Sequence, residues 1–288
     1  MWPAARADHA DEAGSRGLAI LYAGTSGFSY DQWKGTFYPK RLPGSKMLTH
    51  YAGRLNGVEL NGSFYRTPPE TTLQRWAAAT PTVFRFCMKA NRGLTYSAEA
   101  FDKVGLARIF TQRIAILGER LGPVLLQFPP TRQKQIALLD SLLLALARPA
   151  AVEFRHESWF DDETYGVLRE HGGALVVTDE AKWPRAPLVD LGAVAYFRLR
   201  RGYTAMSLRP WVAEIRSALA SHDEVHVYFK HDLGSPALAR RLVARRSRIG
   251  VRMIATTTIS AEASWAWRRP RKTAGSRRTK LRKNLPAA

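Results

Sequence analysis

The sequence is poor in cysteine and contains no long apolar run. Cys87 is the only cysteine among 288 residues, so an intramolecular disulfide and a multi-cysteine zinc site are both excluded. No apolar stretch approaches the roughly 18 residues that a membrane-spanning helix needs. Residues 1–17 carry three acidic side chains and lack the apolar centre of a secretory signal. We therefore expect a cytoplasmic protein that makes no contact with a membrane.

Acidic residues are also scarce. The chain has 24 Asp and Glu against 44 Lys and Arg, for a formal charge of +20. Residues 268–288 hold nine basic residues and no acid, which leaves 35 basic and 24 acidic residues in the rest of the chain. A field of this size attracts polyanions, so nucleic-acid binding through the basic body and tail is one hypothesis. A solvated tail without a partner is the alternative.

Short apolar runs alternate with helix-like stretches. Runs of four to seven residues that are largely apolar are typical of parallel strands buried on both faces. Eight strands are predicted, over residues 18–23, 57–60, 83–88, 124–128, 151–154, 174–178, 193–199 and 225–229. Helical spacing with start and stop signals predicts helices over residues 46–55, 70–79, 104–121, 133–147, 161–171, 210–220 and 236–246.

This alternation predicts an α/β protein with a single (β/α)8 barrel over residues 18–265. Residues 1–17 are expected to form a disordered N-terminal extension, and residues 266–288 a basic, disordered tail. An open doubly wound sheet is the alternative. It is less favoured because Gly-Thr-Ser-Gly at residues 24–27 matches neither GxGxxG nor a P-loop.

In a (β/α)8 barrel the functional residues lie on the loops that follow the strands, so polar residues at the strand ends are the site candidates. The candidate catalytic residues are Glu59, Glu153, Asp179 and His156. The candidate substrate-binding residues are Thr25, Ser26, Asn61, Tyr65, Arg66, Lys89, Gln127, Arg155, Trp159, Arg198, Arg200, Tyr228, Lys230 and His231.

Acids within apolar strands are costly to bury unless they are paired or coordinated. In one hypothesis these acids and the nearby cations form an inward network that orients a small anionic ligand, with Glu59 and Glu153 as a general acid/base pair. In the other, the acids and His156 or His231 bind a divalent metal for hydrolysis. The first is favoured because cations match the acids and no HxH or HExxH spacing occurs. Ion pairs that close the barrel without a catalytic role are a third interpretation.

Three further residues are interpreted as structural. Cys87, between Phe86 and Met88, is predicted to lie in the core rather than to act as a nucleophile. His226 alternates with two valines and is expected to face the helix layer, and His222 is expected at the surface.

The strand ends also resemble the YecE-like family, domain of unknown function 72. The resemblance extends over nearly all of residues 22–229 and rests on several segments together. They are Gly-Thr-Ser-Gly-Phe-Ser-Tyr at 24–30, Val-Glu-Leu-Asn-Gly-Ser-Phe-Tyr-Arg at 58–66, Leu-Leu-Gln-Phe-Pro-Pro at 125–130, Val-Glu-Phe-Arg-His at 152–156 and Tyr-Phe-Arg-Leu at 196–199. The resemblance implies a TIM-barrel-like fold and no established reaction.

The chain departs from the common family pattern at three strand ends. Thr95-Tyr96 stands where the family often has Thr-His, Arg200-Arg201 follows Leu199 where it has His-Gly, and Lys230-His231 replaces Asn-Asn. Two candidate histidine ligands are lost, one of them to a cation. The departures favour anion binding over a metal, and hence a pocket for a phosphate- or carboxylate-bearing substrate. We hypothesise an enzyme of the hydrolase or lyase type there; the sequence identifies no cofactor and no oligomeric state.

Overall fold

A computed structural model of the chain describes residues 19–97 and 102–245. The predicted N-terminal extension (1–17) and basic tail (266–288) lie outside the described residues. The eight strands are β1 (Ile20–Thr25), β2 (Gly57–Leu60), β3 (Arg85–Met88), β4 (Val124–Phe128), β5 (Ala150–Phe154), β6 (Ala174–Asp179), β7 (Val194–Leu199) and β8 (Glu224–Phe229). Every predicted strand is confirmed, with its ends displaced by at most two residues.

All strand pairs are parallel, and the strands close on themselves. Six strands form one sheet in the order β1-β8-β7-β6-β5-β4, and β2 pairs with β3 in a second sheet. Two seams join these sheets. Ser26 bridges to Glu59 between β1 and β2, while Phe86 bridges to Leu121 and Lys89 to Leu125 between β3 and β4. The predicted TIM-barrel-like fold is thus confirmed, and the open doubly wound sheet is excluded.

The seam between β1 and β2 depends on one amide side chain. Asn56 Nδ2 donates to the Leu21 carbonyl at 2.7 Å, and its Oδ1 accepts from the Ala23 amide at 2.9 Å. The side chain therefore substitutes for a backbone ladder at this seam. Beside it the strands approach closely, since a Cβ on Gly24 would lie 1.9 Å from the Gly57 carbonyl oxygen. A glycine is required there because any side chain would separate the two strands.

An α-helix follows each strand except β6 in the sequence, as predicted. They are α1 (Gly44–Ala52), α2 (Glu70–Ala78), α3 (Arg92–Thr95), α4 (Lys103–Ile114), α5 (Ile136–Leu146), α6 (Asp162–Glu170), α7 (Arg209–Ser221) and α8 (Ser235–Arg245). The last residue of the predicted helix 236–246 lies outside the described residues. None of the helices in the described residues is long and apolar enough to cross a membrane.

One predicted helix is interrupted and one short helix was not predicted. Helix α4 ends at Ile114, and the rest of predicted helix 104–121 is a 3-10 segment, Ala115–Arg120. Gly118 adopts φ 57°, a left-handed conformation that an α-helix does not contain. The unpredicted α3 is capped at its N-terminus by Asn91, whose side chain accepts from the Gly93 amide at 2.9 Å.

The barrel interior holds a second, smaller cluster of buried side chains, distinct from the core between strands and helices. Cys87 is fully buried in this interior, which confirms its prediction as a core residue. The prediction for His226 was wrong, because its ring stacks on Tyr22 at 4.8 Å and is fully buried. Val225 and Val227 face the helices instead. The alternation along β8 was therefore recognised, but the face toward the helices and the face toward the barrel interior were assigned the wrong way round. His222 is also buried rather than at the surface.

The Asn56 seam makes a stability prediction. Asn56→Ala removes two hydrogen bonds and leaves a backbone amide and a carbonyl of β1 without these partners. We expect the free energy of unfolding to fall by about 2–4 kcal/mol, measured by urea denaturation. Asn91→Ala, which removes one helix cap, is the control and should lose about 1 kcal/mol. Equal losses in the two variants would show that Asn56 does not hold the seam.

Candidate functional site

Arg198 on β7 is the centre of a buried polar cluster at the carboxyl ends of the strands. Its Nε and Nη2 donate to the two carboxylate oxygens of Glu59, each at 2.8 Å. Its Nη1 donates to Glu153 Oε2. All three residues are almost completely inaccessible to solvent. One guanidinium therefore links a carboxylate of β2 to a carboxylate of β5.

Glu59 has further donors around its carboxylate. Ser26 Oγ donates at 2.8 Å, the Tyr196 hydroxyl at 3.0 Å and Asn61 Nδ2 at 3.1 Å. Burial alone would raise the pKa of Glu59, but the charge and hydrogen bonds of Arg198 and the neighbouring donors lower it to about 2. Glu59 is therefore ionised at neutral pH.

Glu153 is held in the same way. It accepts from Gln127 Nε2 at 2.7 Å and from Arg155 Nε at 2.8 Å, in addition to Arg198. Burial opposes its ionisation, but the charges of Arg198 and Arg155 lower the pKa of Glu153 to about 2. A carboxylate with this pKa has no proton to donate at neutral pH and is a weak base. The arrangement suits a permanent counter-charge better than an acid/base pair.

Lys89 follows β3 and lies beside this network. Its Nζ donates to Gln127 Oε1 at 2.7 Å and lies 3.9 Å from the centre of the Phe64 ring. The Tyr96 hydroxyl donates to the same Gln127 oxygen at 2.9 Å. Burial, with the like charge of Arg198, lowers the pKa of Lys89 to about 8. In the described part of the chain, no carboxylate forms a salt bridge with this ammonium.

Two more arginines line the cluster. Arg200 Nη1 donates to Ser26 Oγ at 2.9 Å, and burial and the charge of Arg198 lower its pKa. Arg155 lies over the Trp183 ring, 5.2 Å from its centre. Arg200 makes no salt bridge within residues 19–97 and 102–245. The cluster thus combines two ionised carboxylates with four basic side chains, an excess of positive charge.

Two of the residues predicted as catalytic lie outside the cluster's hydrogen bonds. Asp179, the last residue of β6, forms a salt bridge with Arg201, 2.7 Å from its Nε, and accepts a hydrogen bond from the Tyr203 hydroxyl. His156 Nδ1 accepts from the Ser158 amide at 3.2 Å and caps a 3-10 turn. Both residues hold loop segments in place.

Three of the residues predicted to bind substrate are buried by other contacts. The Trp159 ring stacks on Phe154 at 4.4 Å and is fully buried. Tyr228 lies in the barrel interior, with its hydroxyl 3.2 Å from Cys87 Sγ. Thr25 Oγ1 donates to the Gly27 carbonyl at 2.6 Å and is fully buried.

The remaining predicted residues lie on the loops after β2 and β8. Tyr65 is 73% exposed, and Arg66 is exposed beside it. Lys230 Nζ is 3.8 Å from Asp232 Oδ1. The His231 ring stacks on Tyr30 at 4.9 Å, and burial and the charge of Arg200 lower its pKa.

The sequence interpretation did not select two tyrosines of the cluster. Tyr196 is two residues before Arg198 on β7, so strand alternation places both on the inner face and could have identified it. Tyr96 ends the short helix that was not predicted, and no local pattern indicated its contact with Gln127.

The metal hypothesis finds no matching set of ligands. No group of three His, Cys, Asp or Glu side chains that could hold a metal ion occurs in the described residues. Glu59 and Glu153 are occupied by arginines, while His156 and His231 have other partners. The residues present do not fit a divalent cation.

Comparisons with known proteins agree with the resemblance noted above. Among curated proteins, UPF0759 protein YunF of Bacillus subtilis is 29% identical over 181 residues, 56% of this chain and 61% of that protein. UPF0759 protein YecE of Escherichia coli is 30% identical over 144 residues, 49% of this chain and 50% of that protein. The matched segments thus span about half to three-fifths of these relatives.

Solved structures resemble the whole barrel. A crystal structure of a DUF72 family protein from Thermotoga maritima has a TM-score of 0.69 and 29% identity, covering 80% of this chain and 99% of that chain. A DUF72 family protein from Enterococcus faecalis has a TM-score of 0.63 at 22% identity, covering 80% of this chain and 98% of that chain, and supports the fold alone.

The family model described as "Protein of unknown function DUF72" matches residues 22–259, most of the chain. This range includes every residue of the buried network. The chain belongs to the DUF72 family.

Proposed function

We propose that the carboxyl-terminal mouth of the barrel binds a small molecule bearing a phosphate or carboxylate group. The excess of basic side chains in the buried cluster carries this proposal. Lys89 and Arg200 are close enough to Arg198 for its charge to lower the pKa of both. An anion bound beside them would relieve this repulsion, and charge-assisted hydrogen bonds from arginine and lysine are the strong contacts that hold phosphates and carboxylates.

The cations have different roles in this proposal. Arg198 is saturated by Glu59 and Glu153 and acts as a fixed frame rather than as a ligand contact. Arg155 donates through Nε and Arg200 through Nη1 within the described residues, so their other nitrogens are available to an anion. Arginine suits phosphate and carboxylate because its donors form a planar fork.

The cluster also supports a catalytic function, with residue roles that differ from the initial expectation. We assign Glu59 and Glu153 to positioning Arg198 and Arg155, because both carboxylates are ionised and fully bonded. Lys89, with a pKa of about 8, replaces them as the group for proton transfer near neutral pH. A hydrolase or lyase acting on an anionic substrate remains the proposed enzyme class, since fixed cations stabilise negative charge that develops in a transition state.

The frame role predicts a pH-dependent loss of stability in Glu59→Gln. At neutral pH the variant should unfold with a free energy lower by about 3–5 kcal/mol, because a buried arginine loses one of its two counter-charges. The folded pKa of about 2 lies below the ordinary 4.5, so the stabilisation is present above 4.5 and is lost as the pH falls toward 2. Urea denaturation at several pH values measures both effects.

The control for this prediction is Glu163→Gln, since Glu163 is exposed and pairs with Lys134 at 2.7 Å. Its loss should stay below about 1 kcal/mol. If the Glu59→Gln variant is as stable as the wild type at neutral pH, Glu59 does not act as the counter-charge that positions Arg198.

Anion binding is tested with sulfate, whose charge does not change near neutral pH. Isothermal titration calorimetry should detect saturable sulfate binding by the full chain. Arg200→Gln should weaken it by about tenfold or more, the value of one charge-assisted hydrogen bond. Arg201→Gln is the matched control, because Arg201 pairs with Asp179 and is largely exposed. Its sulfate affinity should change by less than about twofold.

Two results would contradict the proposal. One is the absence of saturable sulfate binding by the wild-type chain. The other is an equal loss of affinity in the two arginine variants, which would indicate a general effect of surface charge.

Nucleic-acid binding is a second candidate function, supported by the formal charge of +20. Helix α8 presents Arg240 and Arg241 at the surface, so basic residues also line the described part of the chain. Binding through phosphates should weaken steeply with added salt, as measured by fluorescence anisotropy of a labelled single strand. Deletion of residues 268–288 should reduce the salt dependence, because it removes nine basic residues. Binding that is insensitive to salt would exclude this electrostatic mode.

A further inference from the structure

We propose that Lys89 is a reactive amine that forms an imine with the carbonyl group of an anionic ligand at the mouth of the barrel. This inference rests on the anion binding proposed above and specifies the ligand class. The ligand would be a small aldehyde or ketone that also carries a phosphate or carboxylate group.

The contacts of Lys89 distinguish it from a structural lysine. A structural lysine is usually either solvated or paired with a carboxylate, as Lys134 is with Asp161 and Glu163. Lys89 is only 8% exposed, and the one hydrogen-bond acceptor of its Nζ in the described residues is the neutral amide oxygen of Gln127. Its other neighbour at Nζ is the face of the Phe64 ring. These two contacts position the amine, but neither provides a full negative charge that would stabilise its protonated form.

Burial and nearby arginines favour loss of that proton. Burial is the largest cause, and Arg198 on β7 and Arg155 after β5 also repel an ammonium. The carboxylates of Glu153 and Glu59 attract it, although both are bonded to arginines, and the balance lowers the pKa of Lys89 to about 8. About a tenth of the amine is therefore neutral at pH 7, more than for a lysine of ordinary pKa, and the neutral amine is the nucleophile.

The chemistry follows from these positions and needs no oxidant or reductant. The lone pair of Nζ attacks the carbonyl carbon, so that a C–N bond forms and the C–O π bond breaks. The nitrogen gives up a proton and the carbonyl oxygen takes one up, which gives a neutral carbinolamine. The hydroxyl then leaves as water after a second protonation, and a protonated imine remains. Tyr96, whose hydroxyl shares the Gln127 oxygen with Lys89, is placed to supply a proton. Arg155 and Arg200 would hold the anionic group of the ligand during these steps.

Such an imine would extend the proposed function toward carbon–carbon or carbon–oxygen bond cleavage. A positively charged imine withdraws electrons from the neighbouring carbon, which is the requirement of a lyase acting beside a carbonyl group. It would also explain why the lysine is buried among cations, because that environment makes the amine available.

Reductive trapping tests the proposal on the full-length protein. The chain is incubated with pyridoxal 5′-phosphate, an aldehyde that carries a phosphate, or with glyoxylate, an aldehyde that carries a carboxylate. Borohydride then reduces the imine to a stable amine, which intact-mass spectrometry and peptide mapping locate. We expect one adduct per chain on Lys89, formed at least about tenfold faster than on any other lysine because more of its amine is neutral. The rate should rise with pH up to about 8 and then level off.

The controls separate the lysine from the anion site. Lys89→Arg keeps the positive charge and should lose the adduct, while Lys134 in the wild-type chain should remain at the background rate. Peptide mapping of the wild type needs no variant, so a variant that fails to fold does not affect the test. Sulfate and the Arg200→Gln substitution should each slow trapping at Lys89.

The outcomes distinguish failure of this inference from failure of the proposed function. Saturable sulfate binding without faster trapping at Lys89 would overturn the imine and leave the anion site intact. Fast trapping at Lys89 that is unaffected by sulfate and by Arg200→Gln would overturn the anionic ligand class. If the protein shows no sulfate binding and no faster trapping at Lys89, both proposals are overturned.

Discussion

The paired salt bridges of Arg198 with Glu59 and Glu153 are the constraint on which the candidate site at the carboxyl end of the barrel depends. These groups come from three strands that are distant in sequence, and all are removed from water. None of the charges would be tolerated in this interior alone. Because the partners are satisfied only together, the ion pairs fix the positions of β2, β5 and β7 at the mouth of the barrel. Arg155, Gln127 and Lys89 are then held in turn by hydrogen bonds that lead outward from the same carboxylates.

This frame changes the chemistry that the site can perform. Two buried carboxylates would ordinarily suggest acid/base catalysis or a metal, but here arginine keeps both ionised and occupied. Within the described residues, Lys89 and Arg200 form no salt bridge with a carboxylate. This excess of cations is the reason that we propose an anionic ligand and assign proton transfer to the buried amine rather than to the carboxylates.

Much of the fold could be predicted because its signals are local. Apolar runs buried on both faces identified all eight strands, and proline marked the start of several helices, as at Pro69 before α2 and Pro210 in α7. The errors arose where a local pattern has two solutions. Alternation around His226 was clear, yet it did not tell which face is the barrel interior. Apolar spacing continued past Ile114, although the chain turns there into a 3-10 segment that Gly118 interrupts with a positive φ.

In the candidate site, too, local features could be predicted from the sequence and long-range contacts could not. The sequence by itself determined which polar residues follow which strand, because strand positions can be predicted from short-range periodicity. Only the tertiary structure decided which of them meet. Asp179 is acidic and lies near the end of its strand, as Glu59 and Glu153 do, but it bonds to the loop after β7 instead of joining the network. Closure of the barrel brings Glu59 and Arg198 together across 139 residues of chain, a separation over which no local pattern carries information.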